Sequence, residues 1–85
     1  MDIENLKQTL REFADERDWD RFHTPKNLAM ALTVEAAELL ERFQWLTEAE
    51  SQSLRDRPDD YRAVVEELAD VMIYLIRMAD KLDVD

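Results

Sequence analysis

The chain contains no glycine, and its 85 residues include only two prolines. Sheet-rich folds need turn residues every several positions, so this composition argues against them. A Walker-type phosphate loop and a dinucleotide-binding loop are excluded, because both need glycine where the backbone approaches a phosphate. We therefore predict an all-α fold.

The composition indicates one small domain, residues 1–85, that associates with copies of itself. A domain of this size buries only about 60–65% of its unfolded surface, and there is no cysteine for disulfides or thiolate metal sites. Yet 46% of the residues are hydrophobic, more than one small helical unit needs. We therefore expect a homo-oligomer.

The net charge of −10 opposes binding to a nucleic-acid polymer. No apolar run approaches about 18 residues and no signal peptide is evident, so we expect no membrane association and a cytoplasmic location.

Hydrophobic spacing and capping signals predict three long helices and one short connecting helix, forming a bundle completed by oligomerisation. The first helix is predicted over 3–16 and is followed by a polar and aromatic connector, DWDRFHTP. Thr24 as N-cap and Pro25 as first helical residue begin the second helix, which is predicted to reach about Trp45. Thr47 and Glu50 form a capping box for a short helix over about 48–56. The third long helix is predicted over about 60–82.

Two pairs of acids interrupt the apolar helices, in VEAAELLERFQW and EELADVMIYLI. At 100° per residue, Glu35 and Glu38 lie on one apolar side of the second helix, and Glu67 and Asp70 lie on one apolar side of the third long helix. If these helices are antiparallel, the pairs lie roughly 15 and 10 Å from the connecting end. We therefore predict that the four carboxylates face one another at a similar level.

A cluster of buried carboxylates needs positive charge, since an unpaired buried ion costs several kcal/mol. Arg42 and Lys81 are expected about one and three turns away, too far to neutralise four acids. Carboxylates without His or Cys nearby favour Mg²⁺, or Mn²⁺ as a substitute, over Zn²⁺. The alternative is that the acids are solvated or form a network at a helix interface, as in a non-catalytic oligomerisation module.

The sequence resembles the all-α nucleoside triphosphate pyrophosphohydrolases of the MazG-like superfamily, particularly the dCTP pyrophosphatase branch. The resemblance is carried by the two acidic motifs, by RDWDRFHTPKNLAMAL (17–32), by FQW (43–45) and by the final ADKLDVD. It implies an enzyme that hydrolyses a (deoxy)nucleoside triphosphate to the monophosphate and pyrophosphate, using Mg²⁺ held by the four acids. Water activated by the metal would attack the α-phosphorus. One of the four carboxylates, or Glu66, would accept its proton.

The resemblance also implies a base-binding site on the connector and two further aromatic residues. Flat aromatic faces stack on bases, and Trp, Tyr or His can add a polar contact. Lys26 and Asn27 are weaker candidates for phosphate or structural contacts. The predicted substrate-binding residues are Trp19, Asp20, Arg21, Phe22, His23, Trp45 and Tyr74.

Two features depart from the family pattern. Leu10 replaces a first-helix His found near the base in relatives that prefer dCTP, so the preference for dCTP or modified pyrimidines stays open. The 85 residues also lack the basic C-terminal segment of the family, which is expected to help bind phosphate. Besides an enzyme of nucleotide-pool sanitation, the sequence therefore allows a nucleotide-binding sensor that has lost turnover.

Overall fold

The computed structural model describes residues 1–84 and contains four α-helices with no strand among those residues. The helices are α1 (Ile3–Glu16), α2 (Pro25–Glu41), α3 (Glu48–Gln52) and α4 (Pro58–Lys81). Short 3₁₀ turns cover Asp20–Phe22 and Leu54–Asp56. The predicted all-α class is confirmed, with three long helices and one short connecting helix.

Two predicted helix boundaries were wrong, and one predicted helix is divided in two. The second helix ends at Glu41 rather than about Trp45, because the chain changes to tighter bonds such as Phe43 N–H to the Leu40 carbonyl (2.9 Å). Apolar residues continue past this change, so hydrophobic spacing could not reveal it. The predicted helix 48–56 is an α-helix followed by a 3₁₀ turn, and α4 begins two residues early because Pro58 occupies its first position.

Side-chain caps begin three of the helices. Asp2 accepts a hydrogen bond from the Asn5 backbone N–H, and Thr24 accepts one from that of Asn27. Thr47 and Glu50 form both bonds of the predicted capping box at α3. These bonds satisfy N–H groups that have no partner within the helix, so the chain enters each helix at a defined residue.

Aspartate ends two of the long helices where glycine is usual. Asp18 and Asp83 have φ angles of 55° and 56°, the left-handed region that glycine adopts most easily and aspartate tolerates. After α1, the Trp19 N–H bonds to the Ala14 carbonyl at 2.9 Å and the Asp18 N–H bonds to the Asp15 carbonyl at 3.2 Å. This is the Schellman pattern of helix ends.

Helix α4 packs against both α1 and α2. Contacts at the two ends of α2 show its direction relative to α4. His23, just before α2, contacts Arg77 near the end of α4, whereas Arg42, just after α2, contacts Glu67 nearer the start of α4. The predicted antiparallel arrangement of α2 and α4 is therefore confirmed, and it places the acidic motifs side by side.

The apolar core of the isolated chain is small. Its buried members are Ala14, Leu28, Leu54, Val64 and Ile76. The radius of gyration is 15.0 Å, against about 12 Å for a compact domain of this length. Much of the apolar surface of α2 and α4 is consequently exposed. Within residues 1–84, no helix combines the length and hydrophobicity needed to cross a membrane.

Candidate functional site

Carboxylates from α2 and α4 meet in one cluster. One oxygen from each of Glu35, Glu38 and Glu67 lies within 4.8 Å of the others. Glu67 is buried and the other two are half-buried. The Oε2 atoms of Glu35 and Glu67 are buried without a hydrogen-bond partner. Because buried polar atoms are normally paired, the cluster is incomplete without a cation or added protons.

The cluster is electrostatically strained. Burial, followed by the charge of Glu38 and the nearby Glu67 and Asp70, raises the pKa of Glu35 from 4.5 to about 7. Burial and the same acidic surroundings also raise the pKa of Tyr74, so its phenol stays protonated and can donate. The raised pKa values of Glu35 and Tyr74 both indicate a site that lacks positive charge.

Among residues 1–84, one side-chain cation reaches the cluster, contrary to our expectation for Arg42. Its Nη2 lies 3.6 Å from Oε1 of Glu67. Arg42 directly follows α2 and keeps helical backbone angles (φ −71°, ψ −19°), so it lies one turn beyond Glu38 on the same side of the helix, and its long side chain reaches Glu67. The Arg42 side chain is about half exposed and leaves Oε2 of Glu67 unpartnered. One partly solvated ion pair therefore does not compensate three acids.

The donor set of the cluster fits a hard divalent cation. All three groups offer carboxylate oxygen, which suits Mg²⁺ or Mn²⁺. Asp70 lies outside this group of three and lines the neighbouring cavity, so its role as a fourth ligand stays a prediction. Glu66 is exposed, and its role as a base also stays a prediction.

A cavity of about 330 Å³ adjoins the cluster, between α1, the connector and α4. This volume lies at the lower end of the range for small-molecule sites, about 300–1,000 Å³. Asp70 and Tyr74 line it beside the carboxylates, and Arg77 lies with His23. Its lining residues are Leu10, Phe13, Ala14, Trp19, His23, Asp70, Ile73, Tyr74 and Arg77.

Three of the predicted base-binding residues line this cavity: Trp19, His23 and Tyr74. Trp19 packs edge-on against Phe13, with ring centroids 5.4 Å apart. The Arg17 guanidinium lies 3.5 Å from the centroid of the Phe13 ring, so this cation covers one face of Phe13. The aromatic wall formed by Trp19 and Phe13 can accept a flat heterocycle.

Other predicted residues lie elsewhere in the chain. Arg21 stacks on Phe22, and both are exposed. Asn27 donates its side-chain amide to the Phe22 carbonyl at 3.0 Å, a structural contact, and Lys26 is exposed. Trp45 is 86% exposed and does not line the cavity of its own chain. The binding roles of Arg21, Phe22 and Trp45 stay predictions.

Arg77 is a site residue that the sequence analysis missed. Its guanidinium donates from Nε to Nδ1 of His23 (3.2 Å) and from Nη2 to Oδ1 of Asp20 (2.7 Å). Lys81 lies 2.8 Å from the same Asp20 oxygen. The bonds from Lys81 and then Arg77 lower the pKa of Asp20. Asp20 therefore holds the connector onto α4 instead of facing the cavity.

The spacing along α4 could have revealed Arg77. The site residues of this helix recur at alternating steps of three and four, which places them on one side. Continuing the same spacing beyond the acidic motif would have identified Arg77 as a residue on the same side of α4. The series is Glu67, Asp70, Tyr74, Arg77 and Lys81.

Comparison with known proteins connects this arrangement with pyrophosphatases. The chain is 45% identical to dCTP pyrophosphatase 1 of Rattus norvegicus and to that of Homo sapiens, in each case over 98% of its own length and 49% of the relative. The chain therefore spans about half the length of these curated relatives. It also superposes on the crystal structure of a pyrophosphatase from Archaeoglobus fulgidus with a TM-score of 0.87 and 43% identity, covering 100% of this chain and 78% of that one.

A family model also matches most of the described chain. The match covers residues 30–85 and carries the description MazG-like family. It includes all four acids of the predicted metal site, and the structural similarity extends the relationship across α1 and the connector. The chain belongs to the MazG-like family.

Proposed function

We propose that this chain is a Mg²⁺-dependent nucleoside triphosphate pyrophosphohydrolase of nucleotide-pool sanitation. It converts a (deoxy)nucleoside triphosphate and water to the monophosphate and pyrophosphate, with dCTP or a modified pyrimidine nucleotide as the preferred substrate. The observation that carries the proposal is the position of two unpartnered buried carboxylate oxygens beside an aromatic cavity. The names of the curated relatives support the same reaction and base.

Different residues would bind the two parts of the substrate: the acids, through a cation, would bind the polyphosphate, and the cavity would bind the base. Glu35, Glu38 and Glu67 would hold the cation, with Asp70 as the fourth ligand. A cation held there would supply positive charge for the polyphosphate and would favour attack of water on the α-phosphorus. Without that charge, an anionic substrate would meet three acids and one partly solvated cation, Arg42, at this end of the site. Mn²⁺, which accepts the same oxygen ligands, is an expected substitute.

The base would occupy the cavity. Trp19 offers a stacking face, while Tyr74 and His23 offer polar contacts. Trp45 lies outside its own chain's cavity, so its predicted contact with the base requires a second chain. Exposure of 86% leaves its indole free for such a contact.

We also propose that the protein assembles into a homo-oligomer, a tetramer in preference to a dimer. Helix α4 carries an exposed apolar stripe on positions spaced by three and four: Val65, Leu68, Met72 and Leu75. On α2, Met30, Val34 and Leu40 are more than half exposed. Contiguous apolar surface of this kind is typical of a protein interface. The cytoplasmic location expected from the sequence stays a prediction.

The decisive experiment measures pyrophosphate and monophosphate formed from a panel of ordinary and modified deoxynucleoside triphosphates. The 85-residue chain is assayed with Mg²⁺, with Mn²⁺ and with EDTA. We expect both products in equal amounts, only with a divalent cation, and fastest with a cytosine or modified pyrimidine nucleotide. The Glu38→Gln variant should lose the activity, whereas Glu41→Gln, an exposed change on the same helix, should keep it.

Two results would contradict the proposal in different ways. Binding of nucleotides without product would identify a nucleotide-binding sensor. Neither binding nor product, together with no rise of the melting temperature in Mg²⁺, would identify a non-catalytic oligomerisation module, because a ligand of the native state must stabilise it.

A further inference from the structure

The Arg77 side chain is buried too deeply for phosphate binding alone to explain its position. Its side chain is 2% exposed, and it is one of two large side chains in the described chain that are almost fully buried. It lies on the cavity wall far along α4 from the acidic motif, ten residues after Glu67. A buried cation is costly unless its hydrogen bonds are made, so the groups that it contacts indicate its role.

The bond from Arg77 to His23 fixes the protonation state of the imidazole. Arginine has donors and no acceptor, so the Nε–H of Arg77 must donate and Nδ1 of His23 must accept. Nδ1 therefore carries no proton. The ring is neutral with its proton on Nε2, which makes Nε2–H the hydrogen-bonding group that His23 retains for a ligand in the cavity.

The surrounding charges support the neutral ring. From α4, the positive charges of Arg77 and Lys81 oppose protonation of His23, and from the connector Asp20 favours it. Burial and the Arg77 charge outweigh Asp20 and lower the pKa of His23. Across the cavity, α1 contributes the uncharged side chains of Leu10, Phe13 and Ala14, and Asp70 lies on the α4 side.

We propose that Arg77 determines base preference by holding His23 as a hydrogen-bond donor toward the base. This inference rests on the proposed function and names the recognised edge. We assign this donor to N3 of the base, which is an acceptor in cytosine, because O2 is an acceptor in all three pyrimidines and cannot discriminate among them. The donor opposes thymine and uracil, whose N3 carries a proton, because two donors facing each other lose a hydrogen bond and leave both unpaired. Arg77 is a positioning residue and touches the base only through His23.

The first test is spectroscopic and needs no nucleotide. His23 is the only histidine in the chain, so its ring ¹⁵N resonances can be assigned without ambiguity. At pH 7 we expect Nδ1 to have the shift of an unprotonated nitrogen and Nε2 that of a protonated one. A proton on Nδ1, or a doubly protonated ring, would overturn the proposal whether or not any variant folds.

The second test compares Arg77→Met, which keeps a long side chain without its donor or charge, with Arg62→Met at an exposed position of the same helix. In Arg77→Met we expect mixed tautomers and a His23 pKa closer to its ordinary value. The ratio of kcat/KM for dCTP to that for dTTP should fall about tenfold, mainly through KM. The Arg62→Met control should match the parent in each measurement.

An unchanged dCTP-to-dTTP ratio in folded Arg77→Met would overturn the inference while leaving the proposed function intact. If the parent binds and hydrolyses no nucleotide, the proposed function fails and this inference fails with it. The ring nitrogens distinguish the two failures, since they report the Arg77–His23 bond in the free protein.

Discussion

Replacing Glu35 by Gln should stabilise the metal-free protein at alkaline pH and weaken its response to Mg²⁺. Glutamine keeps the shape of the side chain and removes the charge that burial, Glu38 and the neighbouring acids oppose. Glu35 lies in α2 beside Glu67, whose Oε2 is also unpartnered. The substitution therefore separates the electrostatic cost of the cluster from its capacity to bind a cation.

The magnitude follows from the pKa of Glu35, about 7 in the folded protein against 4.5 ordinarily. Because the folded pKa is raised, the folded state binds more protons between these two pH values. The stabilisation by protonated Glu35 is complete below pH 4.5 and is lost as the pH rises through 7. The full difference corresponds to about 3 kcal/mol, and partial exposure of the side chain reduces our expectation to about 1–2 kcal/mol.

Urea denaturation at pH 4.5 and pH 8, with EDTA or with Mg²⁺, measures this effect at fixed protein concentration. In EDTA at pH 8, Glu35→Gln should unfold at higher urea than the parent, and the difference should disappear at pH 4.5. With Mg²⁺ at 100 times its Kd the parent should gain about 2.7 kcal/mol, and the variant should gain less. The exposed Glu41→Gln is the matched control. Equal stability of variant and parent in EDTA at pH 8 would refute the reasoning.

Four further outcomes are expected. Glu38→Ala should abolish metal-dependent turnover while its circular dichroism stays helical; full activity would remove the metal-site hypothesis. Asp18→Gly should raise the free energy of unfolding by about 0.5–1 kcal/mol in thermal melts, because glycine adopts positive φ without cost. Light scattering at micromolar concentration should report a tetramer that Leu68→Glu dissociates; a folded monomeric parent would contradict the proposed assembly. Trp45→Ala should weaken nucleotide binding by about 1–3 kcal/mol, measured by calorimetry, and unchanged affinity would make Trp45 a purely structural residue.

Features set by local sequence could be predicted well. Thr24 with Pro25, and Thr47 with Glu50, mark helix starts through contacts within one turn, and the structure has helices at both places. The meeting of Glu35, Glu38 and Glu67 was also predictable. It requires only helical spacing and an antiparallel pair joined by a short connection.

Features set by tertiary contacts could not be predicted in the same way. Arg42 contacts Glu67 because its long side chain extends from the end of α2 to α4, a reach that depends on how closely the two helices pack. Arg77 is a charged residue in a helix rich in charge, and its burial depends on the connector folding over it. Asp70 lies on the cavity wall, outside the group of three carboxylates, and its role as a fourth ligand stays a prediction.

Because the chain has no glycine, the turn that ends α1 is formed by Asp18, and this turn also shapes the candidate base site. At Asp18 the backbone adopts positive φ, and the following N–H, that of Trp19, bonds back to the Ala14 carbonyl. That bond holds the Trp19 ring 5.4 Å from Phe13, and the neighbouring Ala14, which also lines the cavity, is 1% exposed. The motif that ends α1 therefore also builds the aromatic wall. Because aspartate has less backbone freedom than glycine, the wall has fewer conformations available in the free protein, and less ordering would be required if the proposed nucleotide binds there.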